Sequence, residues 1–274
     1  MFFLFSIFVF IVGICVGSFL NVCVWRIPRG ESIVSPPSHC PKCDHRIRWY
    51  ENIPLLSWTF LRGKCSNCSE PISARYFCVE LLTGILFLLV WFRVFELMPV
   101  SLILPAFTLF ATTIILMVII SFTDLDHRLI PNKVTYPSIA FGFVWSMLYP
   151  KLWYAPTSFT AFSFACASAS IFGLLLAVVA VVGRKIFKKD ALGWGDVKYV
   201  VAIAALLGPR AAFVTILAGS IIGALFGIGM IIVKKKDLKS SIPFGPCLAA
   251  GTLIWMLRGR ELVDLYWRFT QIFK

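Results

Sequence analysis

The sequence predicts an all-α polytopic membrane protein carrying one small water-facing module. Three observations support this. Hydrophobic residues make up 59% of the 274 positions, charged residues only 14%, and mean hydropathy is +0.87. A soluble domain carries about 25% charged residues, so charge here is too sparse to cover a water-facing surface. Long apolar runs follow one another: residues 2–25, 97–123, 134–150 and 152–183 contain no charge. About 20 apolar residues cross a bilayer once, and a soluble core would instead need an amphipathic periodicity that these runs lack. Finally, Pro, Ser, Asn, Cys and basic residues crowd the stretch between Arg26 and Phe77, and there the apolar runs stop.

Eight spans are expected, near residues 3–23, 79–97, 100–123, 134–150, 158–183, 197–208, 211–233 and 242–257. The first lacks the basic start of a cleaved signal peptide and runs through Gly17 and Ser18 without a break, so it reads as a retained helix. The sixth is only 12 residues long before Pro209, a length tolerated where a span is tilted or buried in protein. These spans divide the chain into a first helix at 1–25, the polar module at 26–78, a seven-helix membrane domain at 79–258 and a tail at 259–274.

The excess of base over acid, 26 Lys and Arg against 13 Asp and Glu, fits either a nucleic-acid binder or the positive-inside rule. Position separates the two. With the N-terminus outside, one face receives segments 24–78, 124–133, 184–196 and 234–241, which carry 18 of the 26 bases. Charge that segregates by loop side sets topology, so this face is the expected cytoplasmic one and nucleic acid is not an expected partner.

The module, about 50 residues long, is too small for a self-sufficient core. Its constraint is Cys40-Pro-Lys-Cys43 and Cys65-Ser-Asn-Cys68, two pairs separated by 21 residues. Two residues between cysteines let both thiolates face one metal, and two such pairs complete a tetrahedral structural zinc site. Redox dithiols and structural disulfides compete with zinc, but a cytoplasmic face disfavours stable disulfides. Cys15, Cys23, Cys78, Cys166 and Cys247 stand singly in or beside spans and read as buried small hydrophobes.

With so few acids, those at span edges are informative. They are Glu80, Asp124, Asp126 and Asp196, with Glu96 at an outer end. Asp124 and Asp126 precede Pro131, where the third span should end. Asp196 follows Gly193-Trp194-Gly195, whose glycines permit unusual backbone angles and close approach of another segment. Asp124 and Asp196 share the expected cytoplasmic mouth. Paired carboxylates repel, so one is held protonated while the other stays ionised, and together they can activate water and polarise a peptide carbonyl. An ion-coupled transporter would use intramembrane Asp equally well, and for Asp196 a helix-capping role competes. Residues two apart on a helix point about 200° apart, so Asp124 and Asp126 cannot both face one partner, and local geometry does not choose between them.

The ordered set of motifs resembles the bacterial type IV prepilin peptidase family. It comprises Gly17-Ser-Phe-Leu-Asn21, Arg26-Ile-Pro28, the two cysteine pairs, Glu51-Asn-Ile-Pro54, Asp124-Leu-Asp-His-Arg-Leu-Ile-Pro131, Gly193-Trp-Gly-Asp196-Val-Lys198 and Ile242-Pro-Phe-Gly-Pro246. A lone GxGD is weak, but this set spans residues 13 to about 251. The resemblance implies an eight-span GxGD aspartyl protease of the inner membrane with a cytoplasm-facing site. Its substrates would be type IV prepilins or type II secretion pseudopilins, cleaved after a glycine between basic leader and hydrophobic stem. It also implies N-methylation of the new N-terminus with S-adenosylmethionine, and the four-cysteine loop points to this two-activity form over a peptidase without methylation.

On the same resemblance Asp196 and Asp124 match the catalytic aspartates. Asp126, Gly193, Gly195 and Lys198 become their supporting neighbours. No glycine-rich dinucleotide fingerprint is present, so the methyl donor is expected between the module and the spans, with Glu51, Asn52 and Glu80 as candidate contacts.

Overall fold

The computed structural model describes residues 2–188, 192–232 and 243–272. Among these residues the chain is helical, with no named strand. In order the helices are α1 (Phe2–Arg26), α2 (Leu56–Phe60), α3 (Ala74–Leu97), α4 (Val100–His127), α5 (Asn132–Leu148), α6 (Ser158–Phe187), α7 (Trp194–Leu207), α8 (Pro209–Ile232) and α9 (Gly245–Ile272). Single 3₁₀ turns lie at Trp49–Asn52 and Pro150–Trp153. Two compact units are present, residues 1–97 and 98–274.

Among the described residues a helix overlaps each of the eight expected positions, and five of these helices (α1, α3, α4, α6 and α8) are long and apolar enough to cross a membrane by themselves. At 17 and 14 residues, α5 and α7 fall short of the usual 20. α9 reaches 28 residues but carries charge from Arg258 to Arg268 in its second half. The expected boundary between the last span and the tail, after residue 258, is therefore crossed by a continuous helix. Residues 233–242, which hold the expected end of the seventh span, the start of the eighth and Ile242, lie outside the described residues.

In the first unit α1 pairs with α3 along its length. The helices approach until a Cβ on Gly17 would stand 2.8 Å from the Glu80 Cα, and small residues of this kind are what let apolar helices pack backbone to backbone. α3 starts at Ala74, five residues before the expected span at 79. The Asn21 Nδ2 donates to the Tyr76 carbonyl at 3.1 Å, which draws this first turn against α1. The module is thus tied to both helices, and the three together form the first compact unit. The Arg26 guanidinium, buried at the end of α1, donates to the carbonyls of Ser32 and Pro36 at 3.0 and 2.8 Å and turns the chain into the module.

The second unit is built from α4 to α9. In α4, Thr108, Thr112, Thr113 and Thr123 return their hydroxyls to carbonyls one turn back, which satisfies polar groups in an apolar setting without breaking the helix. α7 packs chiefly on α5 and α6, and α8 on α9. The α8–α9 crossing is tight: a Cβ on Gly251 would stand 2.6 Å from the Thr215 carbonyl oxygen. α4 continues four residues beyond its expected end at 123. It stops where Arg128 takes a left-handed conformation (φ 52°, ψ 40°) and gives its N–H to the Asp124 carbonyl at 3.0 Å.

Candidate active site

Three helix ends build a carboxylate site in the second unit. Asp124 lies in the last turn of α4 with a buried side chain, and Asp126, two residues on, is exposed. The opposite directions follow from the 100° step of the helix. Gly245, which opens α9, donates its N–H to Asp124 Oδ2 at 2.8 Å. A Cβ at Gly245 would stand 2.9 Å from that oxygen, so no larger residue fits without displacing the carboxylate.

Asp196 lies in the first turn of α7, where a negative charge meets the positive end of the helix dipole. The N-cap is Gly193 rather than Asp196. Asp196 caps from the third helical position, where its carboxylate accepts the Gly193 N–H, the side-chain-to-N-cap half of a capping box. Gly193 has φ −71° and Gly195 is helical, so neither uses the conformational freedom expected of the paired glycines. Their role is steric. A Cβ on Gly195 would stand 2.8 Å from the Ile130 Cβ, and one on Gly193 would stand 3.1 Å from Asp196 Oδ2.

Gly195 thus lets the α4–α5 connector lie directly on the start of α7. Lys198 fixes the same junction by donating to Asn132 Oδ1 at 2.9 Å, with its ammonium 5.6 Å from the centre of the Tyr136 ring. Asp124, Asp196 and Cys247, the last in the first turn of α9, are close enough for electrostatic influence on one another.

Cys247 is buried, as expected, and its Sγ lies 3.7 Å from where a Cβ on Gly223 of α8 would stand. Of the other single cysteines, Cys23 is buried, Cys166 is half-buried, and Cys15 and Cys78 are exposed rather than buried. These last two sit on the apolar helices α1 and α3.

In the first unit Cys40, Cys43, Cys65 and Cys68 converge, with all four Sγ atoms within 4.8 Å of one another. Cys40 to Cys68 is 3.8 Å and Cys43 to Cys65 is 3.9 Å. Four thiolates about 2.3 Å from a central ion would stand about 3.8 Å apart, so the cluster fits one tetrahedral metal. Each pair sits in the same small loop. The Cys40 N–H bonds the His45 carbonyl and the Asp44 N–H bonds the Cys40 carbonyl, while Cys65, Glu70 and Ser69 repeat the pattern. Asp44 and Ser69 both have positive φ, and single antiparallel bridges, His39 to Arg46 and Lys64 to Pro71, close the two loops.

Glu51 joins the two loops. Its Oε2 accepts the Arg48 N–H at 2.9 Å and stands 3.3 Å from His45 Nε2, and its carboxylate also takes a hydrogen bond from Ser66. The Arg48 N–H, helped by Ser66 and His45, holds the Glu51 carboxyl below its ordinary range.

Glu80 is likewise committed. Buried on α3, it accepts the Leu55 N–H at 2.8 Å and bonds the Ser18 side chain, and so clamps a loop residue whose φ is +62°. Asn52 is exposed. Of the three methyl-donor candidates, two therefore hold the module in shape.

The fold and the two sites define a helical membrane protein with a four-cysteine module and a pair of helix-end carboxylates. The chain belongs to the type IV leader peptidase family. Residues 11–94 match the bacterial Peptidase A24 N-terminal domain and residues 111–228 the type IV leader peptidase family itself. Similar proteins include three named prepilin leader peptidase/N-methyltransferase. That of Myxococcus xanthus is 41% identical over 85% of this chain and 65% of its own length. Those of Aeromonas hydrophila and Stutzerimonas stutzeri are 32% and 31% identical over 94% and 96% of this chain and 92% and 93% of theirs. No solved structure matches significantly. Family membership and the apolar helices make this a multi-pass inner-membrane protein, and they decide between peptidase and ion-coupled transporter in favour of the peptidase.

Proposed function

We propose that this protein is an aspartyl endopeptidase that removes the leader of type IV prepilins or pseudopilins after a glycine, and that it N-methylates the residue exposed. What supports the peptidase half is that Asp124 and Asp196 each stand at a helix end with the carboxylate held by a glycine N–H. A carboxylate fixed on one side keeps its remaining lone pairs for water or for the peptide. The ionised member of the pair takes a proton from the attacking water, and the protonated member hydrogen-bonds the scissile carbonyl as it gains charge. The proton then passes to the leaving amine.

In this reading all eight long helices cross the membrane, α5, α7 and α9 supported by their neighbours, and the carboxylates face the cytoplasm. A basic leader and apolar stem would then present their junction at the depth of the pair. Positive loops on this face repel the leader, so recognition falls to the stem or to local acids.

The four cysteines hold one structural zinc, and S-adenosylmethionine supplies the methyl group. Glu51 and Glu80 serve methylation by keeping the module's loops in place, with Asn52 as the exposed candidate contact. The test is cleavage of a purified prepilin. Asp124→Asn and Asp196→Asn should each abolish it, since an amide keeps the size but can neither ionise nor share the proton. The exposed Asp126→Asn should retain most activity. Full activity in either of the first two variants would overturn the assignment.

A further inference from the structure

Behind the carboxylates lies a polar cluster that the peptide chemistry does not use. Tyr199 on α7, Thr215 on α8 and Thr252 on α9 are all fully buried. The Thr252 hydroxyl is 2.8 Å from Tyr199 Oη and 3.1 Å from Thr215 Oγ1, and it donates to the Leu248 carbonyl at 3.0 Å. The Thr252 oxygen is thus the common hydrogen-bond partner of Tyr199, Thr215 and Leu248, and in an apolar core such a network holds its members in register.

The cluster is linked to the site through two short rigid segments. Tyr199 stands one helical turn after Asp196, on nearly the same face of α7. Thr252 stands two turns after Gly245, whose N–H holds Asp124, again on the same face of α9. The chain of contact therefore runs from Asp196 through Tyr199, Thr252 and Gly245 to Asp124. α7 leans mainly on α5 and α6 and only lightly on α9, so the Tyr199–Thr252 bond supplies register between two helices that backbone packing holds loosely.

We propose that Tyr199, acting through Thr252, is a positioning residue for the carboxylate pair: it fixes α7 against α9 and so sets the approach of Asp196 to Asp124. The inference rests on the reading of those two aspartates as the catalytic pair.

The test uses the full chain in lipid nanodiscs and measures kcat, KM and the pH profile of prepilin cleavage beside thermal unfolding. Tyr199→Phe keeps the ring and removes one buried hydroxyl. It should lower kcat about tenfold or more, since small misplacements of reacting groups are costly. KM should stay within about twofold and the pH profile should move, because the coupling of two carboxylates depends on their spacing. Thr215→Val removes a hydrogen bond to the same oxygen from α8, which carries neither carboxylate. It should lower the unfolding temperature comparably while cleavage stays within about twofold.

Thr252→Ser, which keeps the hydroxyl, should remain close to the parent, whereas Thr252→Val should lose kcat; this pair decides the matter if Tyr199→Phe does not fold. An unchanged kcat and pH profile in Tyr199→Phe, or equal loss in Tyr199→Phe and Thr215→Val, would overturn the proposal. Cleavage surviving in Asp124→Asn would instead refute the underlying pair, whatever Tyr199 does.

Discussion

At Gly245 a single missing methyl group decides whether Asp124 can be held. A Cβ there would lie 2.9 Å from the carboxylate oxygen and 3.0 Å from the Asp124 Cβ. The backbone of α4 stands on the other side, so the clash is relieved by moving the helix end or the carboxylate. Gly245→Ala should therefore reduce prepilin cleavage by about a hundredfold while the protein remains in the membrane; parent-like kinetics would mean that the bond from Gly245 is incidental. The acids were legible in the sequence because intramembrane carboxylates are rare, and four of them stood at span edges. The choice between Asp124 and Asp126 was not legible from local geometry. It depends on a partner 121 residues away, which no spacing rule around Asp124 records.

Among the elements, the cysteine loops were the most readable, since two CxxC pairs fix both ligand set and geometry. The repeated backbone bonding of the two loops was hidden because hydrogen bonds between backbone groups leave no residue-type signature, and the tie from Glu51 to Ser66 because it joins residues far apart in the sequence. The module has few buried apolar residues besides Cys40 and Cys65, so the metal is its main constraint. Replacing Cys65 by Ser should release the ion, measured as metal per chain, and damage methylation more than cleavage in protein that stays membrane-inserted. Unchanged metal content would refute the four-thiolate site, and equal loss of both activities would make the module part of the peptidase. The start of α3 was misplaced for a related reason. Ala74 to Cys78 is polar and aromatic in composition, and it is helical because Tyr76 is drawn to Asn21 on α1.

For the whole molecule, hydropathy located the long helices and the basic residues carry the proposed orientation, yet among the described residues three helices do not qualify as spans by length and composition. Those three, α5, α7 and α9, border the carboxylate site or pack directly on helices that do. Short or polar helices are affordable where neighbours shield them from lipid, so the weakest membrane signal falls around the chemistry. Orientation is directly testable. A reporter active only outside the cytoplasm should be active when inserted at Met98–Pro99, between α3 and α4, and silent when inserted near Asn67 in the module. The reverse pattern would invert the topology and place the carboxylates on the other face.

The bond between Gly245 and Asp124 also bears on the order of synthesis. Both carboxylates have left the ribosome once α7 is made, but the donor that holds Asp124 arrives only with α9. A nascent chain therefore lacks the donor to Asp124 until α9 has been made. A chain ending after Ile232 should accordingly be inserted and inert towards prepilin, and co-expression of α9 as a separate segment should restore cleavage. Activity in the shortened chain alone would show that α4 and α7 suffice.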